Sequence, residues 1–178
     1  EDLINKKALT LNRGIYALIE LPLQSIPHGT SEILFNLLVN KFIPIIAHPE
    51  RNAEVMRRPE KLYELIEKGA LVQMNAGSLL GDFGGRVAKL SRVFLQNKFA
   101  HFVGSDSHYF EGRCSKLTRW IEQASNYIGM DYATDMLTKF PKKIIDSLEI
   151  EFPEPVMIEN NERIKGNFLT NILDRFLS

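Results

Sequence analysis

The chain has 178 residues, of which 44% are hydrophobic and 25% charged, as is ordinary for a globular domain with one sizeable core. Lysine plus arginine and aspartate plus glutamate balance at 22 each, which excludes bulk attraction to nucleic acid or to an anionic membrane. The single cysteine, Cys114, excludes an internal disulfide and favours a reducing, cytoplasmic compartment, and no apolar run is long enough for stable membrane insertion.

Strand-like apolar runs alternate with helical patterns along most of the chain. Strands are predicted at 15–21, 42–47, 71–75 and 99–104. Helices are predicted at 31–40 with Thr30 or Ser31 as N-cap, between Pro59 and Gly69, at 86–97, and over 115–148 with breaks near Gly129 and Pro141. This alternation predicts parallel βαβ units in an α/β fold, and four strands suit either a small open sheet or part of a barrel.

Two polar clusters directly follow buried-type strands. His48-Pro49-Glu50-Arg51 comes after the 42–47 run, and Ser105-Asp106-Ser107-His108 comes after the 99–104 run. Imidazole and carboxylate groups at the carboxyl ends of parallel strands are typical of metal-dependent α/β enzymes. The two clusters therefore indicate two parts of one site.

Each candidate ligand has a simpler interpretation beside the metal one. His48 is either a metal ligand or a strand-end histidine bonded to the backbone. Asp106 and His108 stand two residues apart, so both side chains point to one side of an extended segment and can share an ion; the alternative is a turn closed by Asp106. Glu20 ends its strand among apolar residues and is either a ligand or the partner of an inward cation.

Arg51 and Arg113 follow the two clusters closely and are candidates for binding phosphate through paired N–H groups, although surface arginines usually have no such role. The glycine-rich segment Gly77–Gly85 lacks the P-loop pattern and is interpreted as a plain β-to-α connection. Gln73 and Asn75, near the end of the third strand, are weaker site candidates.

Two of the four histidines, His28 and His101, are interpreted as structural, because one lies in a turn and the other begins a strand. Residues 1–155 are predicted to form the main domain, with a linker at 151–155. The tail, 156–178, carries apolar residues at helical spacing, which predict a packing or docking helix and make self-association an expectation: Phe168, Leu169, Ile172, Leu173, Phe176 and Leu177.

Four segments in this order and spacing closely resemble one known family, the bacterial capsular-polysaccharide tyrosine phosphatases of the polymerase and histidinol phosphatase (PHP) superfamily. The resemblance covers about residues 9–155. The full set is specific, whereas any single segment is not. The segments are Ile19-Glu20-Leu21-Pro22, Ile46 to Asn52, Asn75 to Leu79 with Gly81-Asp82-Phe83-Gly84, and Val103 to His108.

The resemblance implies a distorted (β/α)7 barrel of the TIM-like PHP type, with a cluster of divalent metal ions at the carboxyl ends of its strands. Manganese is the expected metal, with iron, zinc or magnesium as alternatives. By position, the implied metal ligands are Glu20, His48, Asp106 and His108, and the implied catalytic, substrate-binding arginines are Arg51 and Arg113. The implied substrate and partner is the phosphotyrosine-containing tail of a membrane-associated tyrosine kinase that controls capsule or exopolysaccharide export.

One family feature is missing from this sequence. The family begins with a strand carrying a His-x-His pair, and this chain, which does not start with methionine, has none. The resemblance therefore implies an N-terminally incomplete barrel here. Two alternatives to a protein tyrosine phosphatase follow: a PHP-type phosphatase of small molecules such as histidinol phosphate, and a non-catalytic fragment or interaction domain.

Overall fold

The computed structural model describes residue 3, residues 8–106 and residues 113–158, without the side chains of residues 113–115. Strands and helices alternate through most of these residues. The strands are β1 (Tyr16–Glu20), β2 (Ile43–Ala47), β3 (Leu71–Asn75) and β4 (Phe102–Gly104). The helices are α1 (Thr30–Val39), α2 (Ala53–Arg57), α3 (Glu60–Glu67), α4 (Ala76–Leu80), α5 (Gly85–Gln96), α6 (Arg113–Ile128), α7 (Met130–Leu137) and α8 (Lys139–Ile145), with 3-10 turns at Leu11–Arg13 and Pro49–Arg51.

The four strands form one parallel sheet in the order β1-β2-β3-β4. Glu20 at the end of β1 aligns with Ala47 at the end of β2, and Ala47 aligns with Gln73 of β3. The predicted α/β class is confirmed, and the described strands form an open part of a barrel. Because all four strands run the same way, the residues that follow them meet at one edge of the sheet.

A proline lies inside the central strand β2 without costing a ladder hydrogen bond. Ile43 donates its backbone N–H to Ile15 O, 2.8 Å away, on the β1 side. Successive residues face opposite neighbours, so Pro44 faces the β3 side. Pairing with β3 begins only at Ile45, opposite Leu71, so the missing N–H of Pro44 has no ladder partner to lose.

The core occupies both faces of the sheet, which explains why β2 is an almost continuous apolar run. Strand residues Ile45, Ile46, Val72 and Met74 are completely buried. They pack in one cluster with side chains from five helices: Leu34 and Leu37 of α1, Leu62 and Leu65 of α3, Leu90 and Phe94 of α5, Trp120 and Ala124 of α6, and Met136 of α7. Each fully buried large side chain contributes about 2 kcal/mol.

The first helix begins differently from its prediction. Neither Thr30 nor Ser31 caps α1, because helix α1 starts at Thr30 and the preceding residue is Gly29 in a left-handed conformation, with φ of 84°. The Thr30 hydroxyl instead donates to Pro27 O, 2.7 Å away, in the turn before the helix. The N-cap prediction was therefore wrong, since a glycine turn took the place of a side-chain cap.

The helical region after residue 113 contains two breaks, one at the predicted Gly129 and one three residues before the predicted Pro141. Gly129, with φ of 80°, separates α6 from α7 as expected. The second break lies at Thr138, and Pro141 falls inside the first turn of α8. Proline is tolerated there because backbone N–H groups in the first turn have no partner within the helix.

Three apolar side chains of α1 and one of β1 are exposed. Leu34 and Leu37 of α1 face the core, whereas other apolar side chains of the same helix do not. The exposed residues are Leu18, Ile33, Phe35 and Val39. Among the helices that the structure describes, none is long and apolar enough to span a membrane. The predicted tail helix at Phe168–Leu177 lies outside the described residues, and the boundary at residue 155 stays a prediction.

Candidate functional site at the carboxyl edge of the sheet

Two predicted ligands, Glu20 and His48, lie next to each other at the ends of β1 and β2. His48 has a left-handed backbone, with φ of 34°, which turns the chain sharply out of the strand. Its Nε2 lies 3.4 Å from Oε1 of Glu20. Two ligands bound to one ion at about 2.1 Å lie roughly 3.0–3.4 Å apart for square or tetrahedral angles. The imidazole and the carboxylate are thus spaced as two ligands of one divalent ion would be.

The third described ligand candidate, Asp106, is bonded to groups from two other strand ends. Its Oδ2 accepts a hydrogen bond from Arg51 Nη1 at 3.1 Å and another from Asn75 Nδ2 at 2.9 Å. Asp106 also has a positive φ, of 44°. The structure therefore brings the two clusters together, because Arg51 follows β2, Asn75 ends β3 and Asp106 follows β4.

Asn75 forms a hydrogen bond at the site with each end of its side-chain amide. Its Oδ1 accepts from Gly77 N at 2.8 Å and so caps α4, while its Nδ2 donates to Asp106. The two contacts fix which end of the amide is oxygen. Asn75 was only a weak candidate from sequence, and the available signal was its strand-end position two residues before a glycine.

Glu50 is a member of this edge that sequence reasoning missed. Its side chain is completely buried, and Oε1 accepts from Asn75 N at 2.9 Å and from Ser78 Oγ at 2.6 Å. Burial raises the pKa of Glu50 to about 7, against the smaller lowering effects of the Ser78 and Asn75 hydrogen bonds and of the Arg51 charge. Its Oε2 has no hydrogen-bond partner among the described residues. Glu50 thus ties the turn after β2 to the end of β3.

The guanidinium of Arg51 lies over an aromatic ring. Its Cζ is 4.2 Å from the centroid of the Phe83 ring, a cation–π contact. Phe83 belongs to the segment that was predicted to be a plain connection. That prediction was incomplete, since residues 77–80 of the segment lie in α4 and Phe83 after it reaches the site.

The segment carrying Phe83 folds back onto Gly77. A Cβ at Gly77 would lie 2.8 Å from Asp82 Oδ2 and 3.2 Å from Phe83 Cε2, so both side chains approach the Gly77 backbone closely. Asp82 N donates to Gly77 O at 2.9 Å, and Lys116 Nζ donates to Asp82 Oδ2 at 2.8 Å. Gly77 of α4 therefore lies close to the Phe83 ring, and Lys116 of α6 binds the neighbouring Asp82.

Asn52 locks the turns after β1 and β2 to each other. Its Oδ1 caps α2 by accepting from Glu54 N at 2.9 Å and Val55 N at 3.0 Å. Its Nδ2 donates to Pro22 O at 2.7 Å. This bond fixes the segment that follows Glu20 against the segment that follows His48.

His101 is structural, in agreement with its interpretation from sequence. It is buried directly before β4, its Nδ1 accepts from Val72 N at 3.0 Å, and its ring meets Phe152 edge-on with 4.7 Å between the ring centroids. Burial lowers its pKa to about 4. The imidazole is therefore neutral at physiological pH.

The remaining predicted residues cannot be placed by their side chains. His108 lies outside the described residues, and Arg113 is the first residue of α6, whose first side chains are also outside them. In the described part of the chain, no group of three or more His, Cys, Asp and Glu side chains is arranged to hold a metal ion. The full ligand set therefore stays a prediction, while the donor chemistry of Glu20 and His48 fits one ion.

The order of these strand-end residues is matched by a known family. A family model described as capsular polysaccharide synthesis, CpsB/CapC, matches residues 1–146. The chain belongs to the CpsB/CapC family. This confirms the resemblance that the strand-end motifs indicated.

Curated CpsB/CapC relatives align with most of this chain but with only part of their own length. The chain is 43% identical over 137 residues to CapC of Staphylococcus aureus, covering 72% of this chain and 54% of CapC. It is 40% identical over 113 residues to the tyrosine-protein phosphatase YwqE of Bacillus subtilis (strain 168), covering 64% of this chain and 44% of YwqE. The chain thus spans about half the length of the curated relatives it matches.

A solved structure agrees with the CpsB/CapC assignment. It comes from the crystal structures of YwqE from Bacillus subtilis and CpsB from Streptococcus pneumoniae, described as unique metal-dependent tyrosine phosphatases. Its TM-score is 0.83 at 31% sequence identity, over 89% of this chain and 64% of that chain. The likeness therefore extends from the motifs to the backbone that carries them.

Proposed function

We propose that this chain is a metal-dependent phosphotyrosine protein phosphatase that acts in capsular or exopolysaccharide synthesis. The observation that carries the proposal is the placement of the Arg51 guanidinium beside Asp106, at the edge where Glu20 and His48 also lie. The family membership and the relatives named as tyrosine phosphatases support it. The proposed localisation is cytoplasmic.

The proposed metal ligands are Glu20, His48, Asp106 and His108, and the proposed ion is manganese. Imidazole and carboxylate also suit iron, zinc or magnesium, so the assay compares these ions. When bound, a divalent ion supplies an activated water and neutralises charge on the phosphoryl oxygens.

The proposed work of Arg51 is to hold the phosphate. Its bond to Asp106 uses one of the five N–H donors of a guanidinium, and the planar fork matches two phosphate oxygens. Arg113 is proposed to contact the same group. Hydrolysis replaces the bond from phosphorus to the phenolic oxygen by a bond to a water oxygen, and the phenolic oxygen leaves with a proton. A fixed phosphate keeps phosphorus in line for that attack.

The proposed substrate and partner is the phosphotyrosine-containing tail of a membrane-associated tyrosine kinase. A phosphotyrosine side chain projects its phosphate well beyond the peptide backbone, so it can reach an edge formed by strand ends. This arrangement requires no stable membrane insertion by the phosphatase itself.

The test uses the full-length gene product with a tyrosine-phosphorylated peptide and manganese. Arg51→Ala should lower kcat/KM about 100-fold, because a charged donor to the reacting group is lost, while exposed Arg57→Ala should change it less than about twofold. Elemental analysis should show less bound manganese for Asp106→Ala than for the unmodified protein.

Three results would contradict the proposal. The first is hydrolysis that does not respond to any divalent ion. The second is an equal effect of Arg51→Ala and Arg57→Ala. The third is faster hydrolysis of a small alkyl phosphate than of the phosphopeptide, which would place the protein among small-molecule phosphatases.

A further inference from the structure

Phe83 occupies an unusual position for a half-exposed aromatic residue. It lies in the short segment between α4 and α5, and 41% of its surface is exposed. Its ring contacts a charged group from outside its own segment, the guanidinium of Arg51, which follows β2. A long arginine side chain at a sheet edge has many rotamers, so something must select the one that faces a phosphate.

Two contacts restrict the Arg51 guanidinium from different directions. Asp106 accepts a hydrogen bond from Nη1 at 3.1 Å, and the Phe83 ring lies 4.2 Å from Cζ. The hydrogen bond fixes one nitrogen, whereas the ring fixes the position of the whole planar group. Together they leave the guanidinium little freedom to swing away from the strand ends.

The Phe83 ring is itself placed by backbone geometry and not by chance packing. Its Cε2 lies against Gly77, where a Cβ would come within 3.2 Å. The neighbouring residue Asp82 is bonded both to Gly77 O and to Lys116. The segment that carries the ring is therefore bonded to α4 and to α6, and the Arg51 guanidinium lies against the ring.

We propose that Phe83 is a positioning residue, whose ring holds the Arg51 guanidinium in the conformation that binds the phosphate of the substrate. This inference rests on the proposed function, since it assigns Arg51 to phosphate. It adds a residue outside the implied ligands and arginines. A cation–π contact of this kind corresponds to about a three- to tenfold change in binding when it is lost.

The test measures binding of inorganic phosphate, because this ligand has no ring that could touch Phe83 directly. In the full-length manganese-loaded gene product, Phe83→Leu should weaken phosphate binding by about three- to tenfold in isothermal titration calorimetry. KM for a phosphotyrosine peptide should rise by a similar factor with kcat nearly unchanged, as expected for binding lost equally in ground and transition states.

Two further variants separate positioning from a structural effect. Phe83→Tyr keeps the aromatic face and should bind phosphate as tightly as the unmodified protein. Phe83→Leu keeps most of the side-chain volume but lacks the aromatic face, so it should bind phosphate more weakly. In an Arg51→Ala background, Phe83→Leu should have no further effect on phosphate binding, because the ring acts through Arg51. The matched control is Phe35→Leu at an exposed aromatic of α1, which should leave binding unchanged.

The possible results also separate this inference from the proposed function. If Arg51→Ala weakens phosphate binding but Phe83→Leu does not, the positioning role is wrong and the phosphatase proposal stands. Equal binding by Phe83→Leu and Phe83→Tyr would likewise overturn the role of the ring. If Arg51→Ala itself leaves phosphate binding unchanged, both the assignment of Arg51 and the role of Phe83 fail.

Discussion

Replacing Glu50 by glutamine should make the protein more stable at neutral pH and should remove the contribution of Glu50 to the pH dependence of the free energy of unfolding. Glu50 is completely buried, and its Oε1 accepts both of its side-chain hydrogen bonds. A glutamine oxygen can accept the same two bonds from Asn75 N and Ser78 Oγ. Glu50→Gln therefore resembles the protonated acid but cannot ionise.

The size of the effect follows from the pKa of Glu50. Burial raises this pKa from its ordinary 4.5 to about 7. Between these values the folded protein keeps a proton that the unfolded chain releases, so the free energy of unfolding falls as pH rises. The contribution is fully present below pH 4.5 and is lost as pH rises through 7. At about 1.4 kcal/mol per pKa unit, it amounts to about 3 kcal/mol.

His101 produces a slope of the opposite sign. Burial lowers its pKa from 6.5 to about 4, so its contribution to stability is present above pH 6.5 and is lost as pH falls to 4. The two windows overlap between about pH 4.5 and 6.5, where the two effects offset each other. Wild-type stability alone therefore does not report on either group.

The measurement is the difference in unfolding free energy between Glu50→Gln and wild type, because His101 contributes equally to both. Urea unfolding in chelator, followed through the fluorescence of the single, buried Trp120, gives this difference. The free energy of unfolding of Glu50→Gln minus that of wild type should increase by about 3 kcal/mol between pH 4.5 and pH 7.5. The exposed Glu64→Gln of α3 should show no such rise. A constant difference for Glu50→Gln would refute the reasoning.

Two further substitutions test the packing that places the strand-end residues. Asn52→Ala removes the cap of α2 and the bond to Pro22 O, so the free energy of unfolding measured in urea should fall by about 2 kcal/mol. The control, Asn126→Ala at an exposed position, should lower it by less than about 0.5 kcal/mol. Equal losses for the two variants would contradict the role assigned to Asn52. Gly104→Ala would place a Cβ 2.0 Å from Gln73 Nε2 and should cost about 1–3 kcal/mol. Adding Gln73→Ala should recover part of this loss, and strictly additive losses would show that the two residues do not compete for space.

The strands and the strand-end residues were predictable because their signals are local. Continuous apolar runs mark buried parallel strands, and a polar cluster directly after each run marks the functional edge. His48 and Asp106 were predicted in this way, and Glu20 was predicted as a carboxylate that ends its strand among apolar residues. Their family roles came from the order of the motifs, which is a property of the whole sequence and not of any single residue.

Glu50 and Phe83 were missed because their roles depend on distant partners. Glu50 follows a proline in a turn, where a glutamate is normally exposed, and its two partners lie 25 and 28 residues away. Phe83 follows a glycine-containing helix that intrinsic propensity disfavours. That helix forms because Asn75 caps it and Ala76 to Leu79 are buried, and neither fact is visible in the local pattern.

The outer side of β1 affects how the protein behaves at high concentration. Among the described strands, β1 pairs only with β2, so alternate backbone groups along it have no strand partner there. Leu18 on this strand and Ile33, Phe35 and Val39 on the following helix are exposed and apolar. An uncovered strand edge can accept another strand, and such edges promote aggregation. Chains in which this edge stays uncovered should therefore be the first to form oligomers and precipitate, even with a fully packed core.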